Sequence, residues 1–124
     1  MEIGTDGAVL TFDAIDKRHG ETWFRIGYRE ADFGGRVEVS SFMVGTPALL
    51  FRQLASFDSP WTGTYDWSDF EGRAKLVAGC DAMGHVTILV TLADPVRAMR
   101  LEAPLMVEFG QLSAIARQAE TLFS

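Results

Sequence analysis

A thiol, a carboxylate and an imidazole that could perform nucleophilic chemistry lie close together in one stretch of the chain. Cys80 is followed directly by Asp81, and His85 comes shortly afterwards. These are the residue types of a Cys-His-acid site, in which a thiolate attacks an electrophile. A reactive thiolate needs a partly exposed, electropositive setting. Because Cys80 is in phase with the apolar residues Ala74, Leu76 and Ala78, we expect instead a buried and unreactive thiol.

Three carboxylates, Asp66, Asp69 and Glu71, could supply a general acid and a general base. Such a pair needs environments that push the two pKa values apart. Three acids in a polar loop are normally solvated, so the sequence predicts no catalytic residues and a non-enzymatic protein.

The residues that could bind a metal or a nucleotide do not have the required spacing. His19, Cys80 and His85 do not match a zinc motif. The glycines of residues 32–35 fit neither nucleotide-binding fingerprint, and we interpret this segment as a turn. The sequence therefore predicts no metal site and no cofactor.

Residues 58–72 combine large aromatic side chains with acids, and no Lys or Arg occurs between Arg52 and Arg73. Aromatic residues ringed by polar groups are typical of interface hot spots, and an acidic rim would speed capture of a basic protein. In the alternative interpretation, the tryptophans cap the core. The predicted partner-binding residues of this aromatic loop are Trp61, Tyr65, Asp66, Trp67, Asp69, Phe70 and Glu71.

The strongest structural pattern is the alternation of residues 84–92, where Val86, Ile88, Val90 and Leu92 share one side. This period of two predicts a central antiparallel strand with one buried face. Similar patterns predict strands at 7–13, 22–31, 36–44, 73–81 and 97–109, and apolar stripes predict helices at 46–56 and 111–123.

The order βββα-βββα predicts a single α+β domain over residues 1–124. The economical fold is a two-layer sandwich, with a six-stranded antiparallel sheet and both helices on one face. The two halves could be a distant duplication. A change of phase near Ser40 and Ser41 predicts a β-bulge.

The other face of that sheet offers a second candidate site. Trp23, Arg25, His85 and Arg100 should share it, and His85 is the only plausible proton-transfer group. A small-molecule-binding domain or small enzyme at this face is the alternative function. Pro104 removes a ladder donor, so it predicts that the last strand is at an edge, has a bulge or is bent there. A homodimer could form through this strand if it is an edge.

Composition limits the class of protein. The net charge of −6 argues against nucleic acid, which needs clustered Lys and Arg. One cysteine excludes an internal disulfide and favours a reducing compartment. The N-terminus lacks the features of a signal peptide, and no apolar run approaches a membrane span. We therefore expect a cytoplasmic protein that binds neither nucleic acid nor membrane.

The chain resembles an uncharacterised family of small bacterial proteins, frequent in actinobacteria. The matching segments are residues 3–12, 84–90 and 110–117, which cover strands, turns and the final helix. The resemblance implies the extent of the domain and no functional residues. In size and fold class the chain is also similar to bacterial immunity proteins. The leading hypothesis is thus an immunity-type or regulatory interaction module.

Overall fold

The computed structural model describes residues 1–5 and 7–124, which form eight strands, two α-helices and one short 3-10 helix at Phe109–Gln111. In chain order these elements are β1 (Glu2–Thr5), β2 (Ala8–Arg18), β3 (Glu21–Glu30), β4 (Phe33–Ser40), α1 (Ala48–Ala55), β5 (Thr64–Ser68), β6 (Ala74–Cys80), β7 (His85–Asp94), β8 (Met99–Glu108) and α2 (Leu112–Phe123). The first sheet has the order β1-β2-β3-β4 and the second has the order β5-β6-β7-β8.

The strand predicted as central is confirmed as an interior strand of the second sheet. β7 pairs with β6 on one side and with β8 on the other. Val86, Ile88 and Val90 are buried while His85 and Thr87 are exposed. This alternation follows from the pleat, which turns successive side chains to opposite faces.

One core is shared by both sheets and both helices. The ring of Phe24 in β3 contacts Phe123 of α2 at a centroid distance of 4.9 Å and Trp67 of β5 at 6.1 Å. Phe12 in β2 makes edge contacts with Phe51 of α1 and with Phe123. The apolar faces of the two sheets are therefore buried in a common interior that the helices help to close.

The prediction of one six-stranded sheet with two helices on a single face is wrong, because the strands form two sheets of four. β1 was missed because it is only four residues long. β5 was missed because it lies inside the segment 58–72, where only Trp67 is buried within a five-residue strand. A strand this short carries too little alternation to be recognised.

The β-bulge predicted near Ser40 and Ser41 is also wrong. β4 ends at Ser40, and Met43 (φ 65°) and Gly45 (φ 76°) turn the chain towards α1. The change of phase therefore marks the end of the strand. The structure has an irregularity instead in β2, where the register with β3 shifts between Asp13 and Asp16.

The last strand and the helices agree closely with expectation. β8 is at the edge of the second sheet, which is one of the alternatives that Pro104 predicted. The helices are slightly shorter than their predicted ranges. Within the described residues, neither helix is long and apolar enough to cross a membrane.

The two halves of the chain repeat the same order of elements, four strands followed by a helix. Each set of four strands is a sequential antiparallel meander, and α1 packs against α2. The repeat unit is thus four strands and a helix rather than the three strands and a helix that were expected. A common origin of the halves stays a prediction.

We expect Phe24→Ala to lower the free energy of unfolding by about 3–5 kcal/mol, because it removes a buried ring and leaves a cavity. Urea denaturation followed by tryptophan fluorescence measures this loss. Phe33→Ala is the matched control, since Phe33 is 79 % exposed and Phe24 is fully buried. The control should change stability by less than about 0.5 kcal/mol. Equal losses in both variants would contradict the shared core.

Candidate binding cleft between the two sheets

A cleft of about 1020 Å³ opens where the two sheets diverge. Residues 33–38 of β4 form one wall and residues 99–104 of β8 form the other, with the ends of β3 and β7 between them. Val37, Leu101 and Ala103 are partly buried and pack against the core, while Phe33 and Met99 are largely exposed. The cleft therefore combines an apolar interior with exposed apolar side chains.

Tyr28 ties the two sheets together beside the cleft. Its side chain is almost fully buried, and its hydroxyl lies 2.9 Å from Glu30 Oε2 and 3.2 Å from the Pro104 carbonyl oxygen. Burial raises the pKa of Tyr28, and the carboxylate of Glu30 raises it further. The neutral hydroxyl can therefore donate to either acceptor, and the bond to Pro104 joins β3 to β8.

Charges of both signs surround the cleft. The lining contains four arginines and four carboxylates, which are Arg36, Arg73, Arg97, Arg100, Glu30, Glu38, Asp94 and Glu102. Arg100 lies 3.0 Å from Glu102, and these exposed partners contribute little to stability. Within the described part of the chain, Arg36 and Glu38 have no ion-pair partner. These two side chains of β4 are therefore available to an incoming molecule.

The backbone of β4 also faces the cleft with unpaired groups. β4 is the last strand of the first sheet and pairs only with β3. The Ser41 amide donates to the Thr22 carbonyl oxygen, which makes this a hydrogen-bonded pair. Because such pairs alternate along an antiparallel ladder, the amides and carbonyls of alternate residues point to the free edge. On β4 these residues are Gly34, Arg36, Glu38 and Ser40.

The other three edge strands are less suited to accept a further strand. β1 has four residues and β5 has five, whereas β4 has eight. β8 is long, but the Phe109 amide donates to the Gly84 carbonyl, which places Pro104 among the residues facing the free edge. Proline has no amide hydrogen there, and short or proline-containing edges resist strand pairing. β4 is therefore the longest edge that carries no proline.

The tryptophans of the aromatic loop lie in the core. Trp61 and Trp67 are 6 % and 5 % exposed. Trp67 Nε1 donates to the Gly45 carbonyl, and Trp61 stacks on Phe57 at a centroid distance of 5.2 Å. Tyr65 is partly buried against the same cluster. These three rings therefore stabilise the fold, which corrects the expectation that they form an exposed binding surface.

Asp69 has a structural role in the same segment. Its side chain is buried and accepts the backbone amides of Arg73 at 2.7 Å, Ala74 at 2.9 Å and Glu71 at 3.2 Å. These bonds fix the turn from β5 to β6. A carboxylate used in this way does not face a partner, so its expected place in the binding surface is also corrected.

Three predicted contact residues of the aromatic loop do reach the surface. Asp66 and Glu71 are exposed, and Phe70 is 61 % exposed with its ring against Phe42 at 5.4 Å. Only one of the three, Phe70, is aromatic, so they do not form the aromatic hot spot that the sequence suggested. Their role in binding stays a prediction.

The residues of the alternative site are not brought together. Trp23 and Arg25 are in the first sheet, whereas His85 and Arg100 are in the second. Trp23 lies under the Arg18 guanidinium, at 4.8 Å from its ring centroid, and Arg25 pairs with an acid on β2. The expected common face does not exist because it assumed a single sheet. Of the four residues, only Arg100 lines the cleft.

The thiol, acid and imidazole near residue 80 are not arranged for nucleophilic catalysis. His85 Nδ1 lies 3.0 Å from Asp81 Oδ2, and Cys80 Sγ donates to the Asp81 carbonyl at 3.3 Å. Burial raises the pKa of the Cys80 thiol, which disfavours the thiolate. Among the described residues there is no cluster of His, Cys, Asp and Glu that could hold a metal ion.

Sequence reasoning predicted strands over 36–44 and 97–109 but missed the cleft between them and the first three residues of β4. The pair Gly34-Gly35 resembles a turn, but both glycines belong to β4. A Cβ at Gly34 would lie 2.9 Å from the Tyr28 carbonyl oxygen, so this position requires glycine for close strand packing. The alternation of Arg36, Val37 and Glu38 after the glycines was the available signal of a strand continuing through them.

Comparisons with known proteins define a family and a fold. Residues 1–124 match the model of DUF6228, which is described as a family of unknown function. The structure of the plant transcriptional regulator PBF-2 is similar, with a TM-score of 0.54 and 9 % identity, covering 99 % of this chain and 79 % of that chain. At this identity the likeness concerns the fold alone. No curated protein sequence matches the chain.

We expect Asp69→Ala to lower the free energy of unfolding by about 2–3 kcal/mol, because it leaves three backbone amides without their acceptor. Asp69→Asn should cost less, since one acceptor oxygen is retained. Chemical denaturation measures both losses. Asp66→Ala, at an exposed position in the same segment, is the matched control and should be neutral. A neutral Asp69→Ala would contradict the structural role.

We expect Asp81 to make stability depend on pH at the acidic end. Hydrogen bonds from the backbone amide of His85, and then from its imidazole, lower the pKa of Asp81. This lowered pKa stabilises the folded state at pH values above the pKa of the same carboxyl group in the unfolded chain, which is about 3.9. The stabilisation is lost as the pH falls through the lower pKa that Asp81 has in the folded state.

Melting temperatures of the wild type and of Asp81→Asn, recorded from pH 7 to pH 3, test this expectation. The variant should melt lower at pH 7, and the difference should shrink below about pH 4. Asp58→Asn, at an exposed position, is the control and should follow the wild type throughout. A difference that is constant with pH would contradict this role of the charge.

Proposed function

The chain belongs to the DUF6228 family, and we propose that it is a non-catalytic protein-interaction module that binds an extended polypeptide segment along β4. The observation that carries the proposal is the free edge of β4, which opens onto a cleft of about 1020 Å³. Proteins that recognise peptides by strand addition use this combination of an open sheet edge and adjacent side-chain pockets.

The backbone of β4 would supply affinity that does not depend on the partner's sequence. The amides and carbonyls of Gly34, Arg36 and Glu38 point away from β3, so a neighbouring strand can pair with them. Main-chain hydrogen bonds of this type bind any extended segment without proline at the paired positions.

The side chains around the cleft would supply specificity. Alternate residues of an added strand face opposite sides, so one set would lie over the exposed Phe33 and Met99 and the other would meet Arg36 and Glu38. The cleft contains as many carboxylates as arginines. It therefore gives no preference for the basic partner suggested by the aromatic loop, and favours a segment with both charges and apolar residues.

A small-molecule ligand of the cleft is the second candidate function. The volume of the cleft, about 1020 Å³, is just above the range of about 300–1,000 Å³ that is typical of ligand pockets. Tyr28 and Glu30 would offer polar contacts beside the apolar Leu101. Such a ligand would need the side chains of the cleft but not the free backbone of β4.

A cytoplasmic location is part of the proposal. It is supported by the single cysteine of the chain, Cys80, which is a free thiol. Reducing compartments such as the cytoplasm keep thiols in this state.

We expect short peptides selected on the protein from a display library to slow hydrogen exchange at the amides of Arg36 and Glu38 in the monomeric protein, whose β4 edge is free. Arg36→Pro should weaken their binding about tenfold or more, because proline removes an amide of the free edge and leaves the bonds to β3 intact. Hydrogen exchange by NMR and titration calorimetry measure the two effects.

The matched control is Asp66→Pro, because Asp66 has the equivalent free-edge position on β5, where the Asp69 amide donates to the Ala74 carbonyl. It should bind the peptides as the wild type does. Glu38→Pro is a second test if Arg36→Pro fails to fold. Peptides that slow hydrogen exchange in the aromatic loop, and whose binding is lost only in Asp66→Pro, would contradict the proposal. A metabolite that stabilises the wild type and Arg36→Pro equally would favour the second candidate.

A further inference from the structure

We propose that a second copy of this chain is a partner of the β4 edge, so that two protomers pair their β4 strands antiparallel around a two-fold axis at Val37. This inference rests on the proposed function, because it names one occupant of the same edge. It is carried by the order of charges along β4, where Arg36 and Glu38 occupy neighbouring positions of the free edge.

The direction of the backbone groups limits the possible registers. Only Gly34, Arg36, Glu38 and Ser40 direct their amides and carbonyls to the free edge. Each hydrogen-bonded pair across a two-fold interface must therefore join two members of this set. A two-fold axis at Arg36 or at Glu38 would place each of these residues opposite its own copy.

The charges select one register from this set. An axis at Arg36 places two arginines face to face, and an axis at Glu38 places two glutamates face to face, and like charges directly opposite are destabilising. An axis at Val37 places Arg36 opposite Glu38 of the second copy, and the symmetry repeats the pair. An axis at Gly35 would place glycine opposite arginine and gain no ion pair. The axis at Val37 is the register that pairs both charges.

The same register also satisfies the backbone and the apolar side chains. Arg36 and Glu38 would exchange both hydrogen bonds with their counterparts, and Gly34 would pair with Ser40 of the second copy in the same way. Val37 would meet its own copy at the axis, in the closer non-hydrogen-bonded type of pair, and cover an apolar side chain that is only partly buried. The β1-β2-β3-β4 sheet of one protomer and that of its partner would join into one continuous sheet.

The edge is most accessible from Gly34 to Glu38, which covers the two charged positions of this pairing. Gly34, Gly35, Arg36 and Glu38 are exposed, and Ser40 is partly so. Beyond Glu38 the edge lies beside Phe70 and Glu71, across a gap of about 210 Å³. The homodimer that the sequence predicted at the Pro104 edge is assigned here to β4 instead. Pro104 has no amide hydrogen and so interrupts the free-edge donors of β8.

Light scattering after size-exclusion chromatography tests the inference with two charge reversals. The wild type should be a dimer, and Arg36→Glu and Glu38→Arg should each weaken the dimer about tenfold or more, because like charges then face each other. An equimolar mixture of the two variants should form a heterodimer, seen by native mass spectrometry, in which both opposite-charge pairs are restored. The double variant R36E/E38R should dimerise alone. Thermal unfolding confirms that every variant is folded.

Several outcomes would overturn the inference and leave the proposed function standing. These are a monomeric wild type at millimolar concentration, a dimer that persists in Arg36→Pro, or reversal variants that do not reassociate when mixed. In each case, selected peptides could still bind along β4 and slow hydrogen exchange at its amides. A dimer that depends on Arg36 and Glu38, in a protein that binds no selected peptide, would support the second copy and contradict a foreign peptide as partner.

Discussion

The packing of Phe24 where two sheets and a helix meet is the contact on which the rest of the structure depends. Its ring lies against Phe123 of α2 and Trp67 of the second sheet. Farther along β3, the hydroxyl of Tyr28 bonds to the Pro104 carbonyl of the second sheet. At Glu30 the strand lines the cleft. The cleft therefore lies at the Tyr28 and Glu30 end of β3, away from the contacts of Phe24 with Phe123 and Trp67.

Much of the local structure could be predicted because burial imposes a period on the sequence. Each of the elements β6, β7, α1 and α2 has one apolar face. The spacing of apolar residues along the sequence indicates that face. The number of sheets could not be predicted in this way. Alternation indicates which side of a strand is buried, but it does not indicate which strands pair. β1 and β5 are too short to show a period, and without them six strands suggested one sheet.

The candidate site was harder to predict because it is made of backbone groups and of strands distant in sequence. Residues 33–38 and 99–104 meet only through the packing of one sheet on the other. The aromatic loop attracted attention because tryptophan is common at interfaces, but the same large apolar rings also stabilise a core. Trp61 and Trp67 are buried for that reason. Residue types alone did not indicate whether these side chains point to the core or to solvent.

An open strand edge is a liability for any soluble protein, because it can pair with other chains and aggregate. Three of the four sheet edges formed by the described residues limit this liability, through the short strands β1 and β5 and through Pro104 in β8. β4 has neither protection, yet it carries Arg36 and Glu38 side by side on its exposed side. Adjacent opposite charges disfavour any register that places like charges directly opposite each other. Among the edges formed by the described strands, β4 is thus the longest without proline, and it lies beside the cleft.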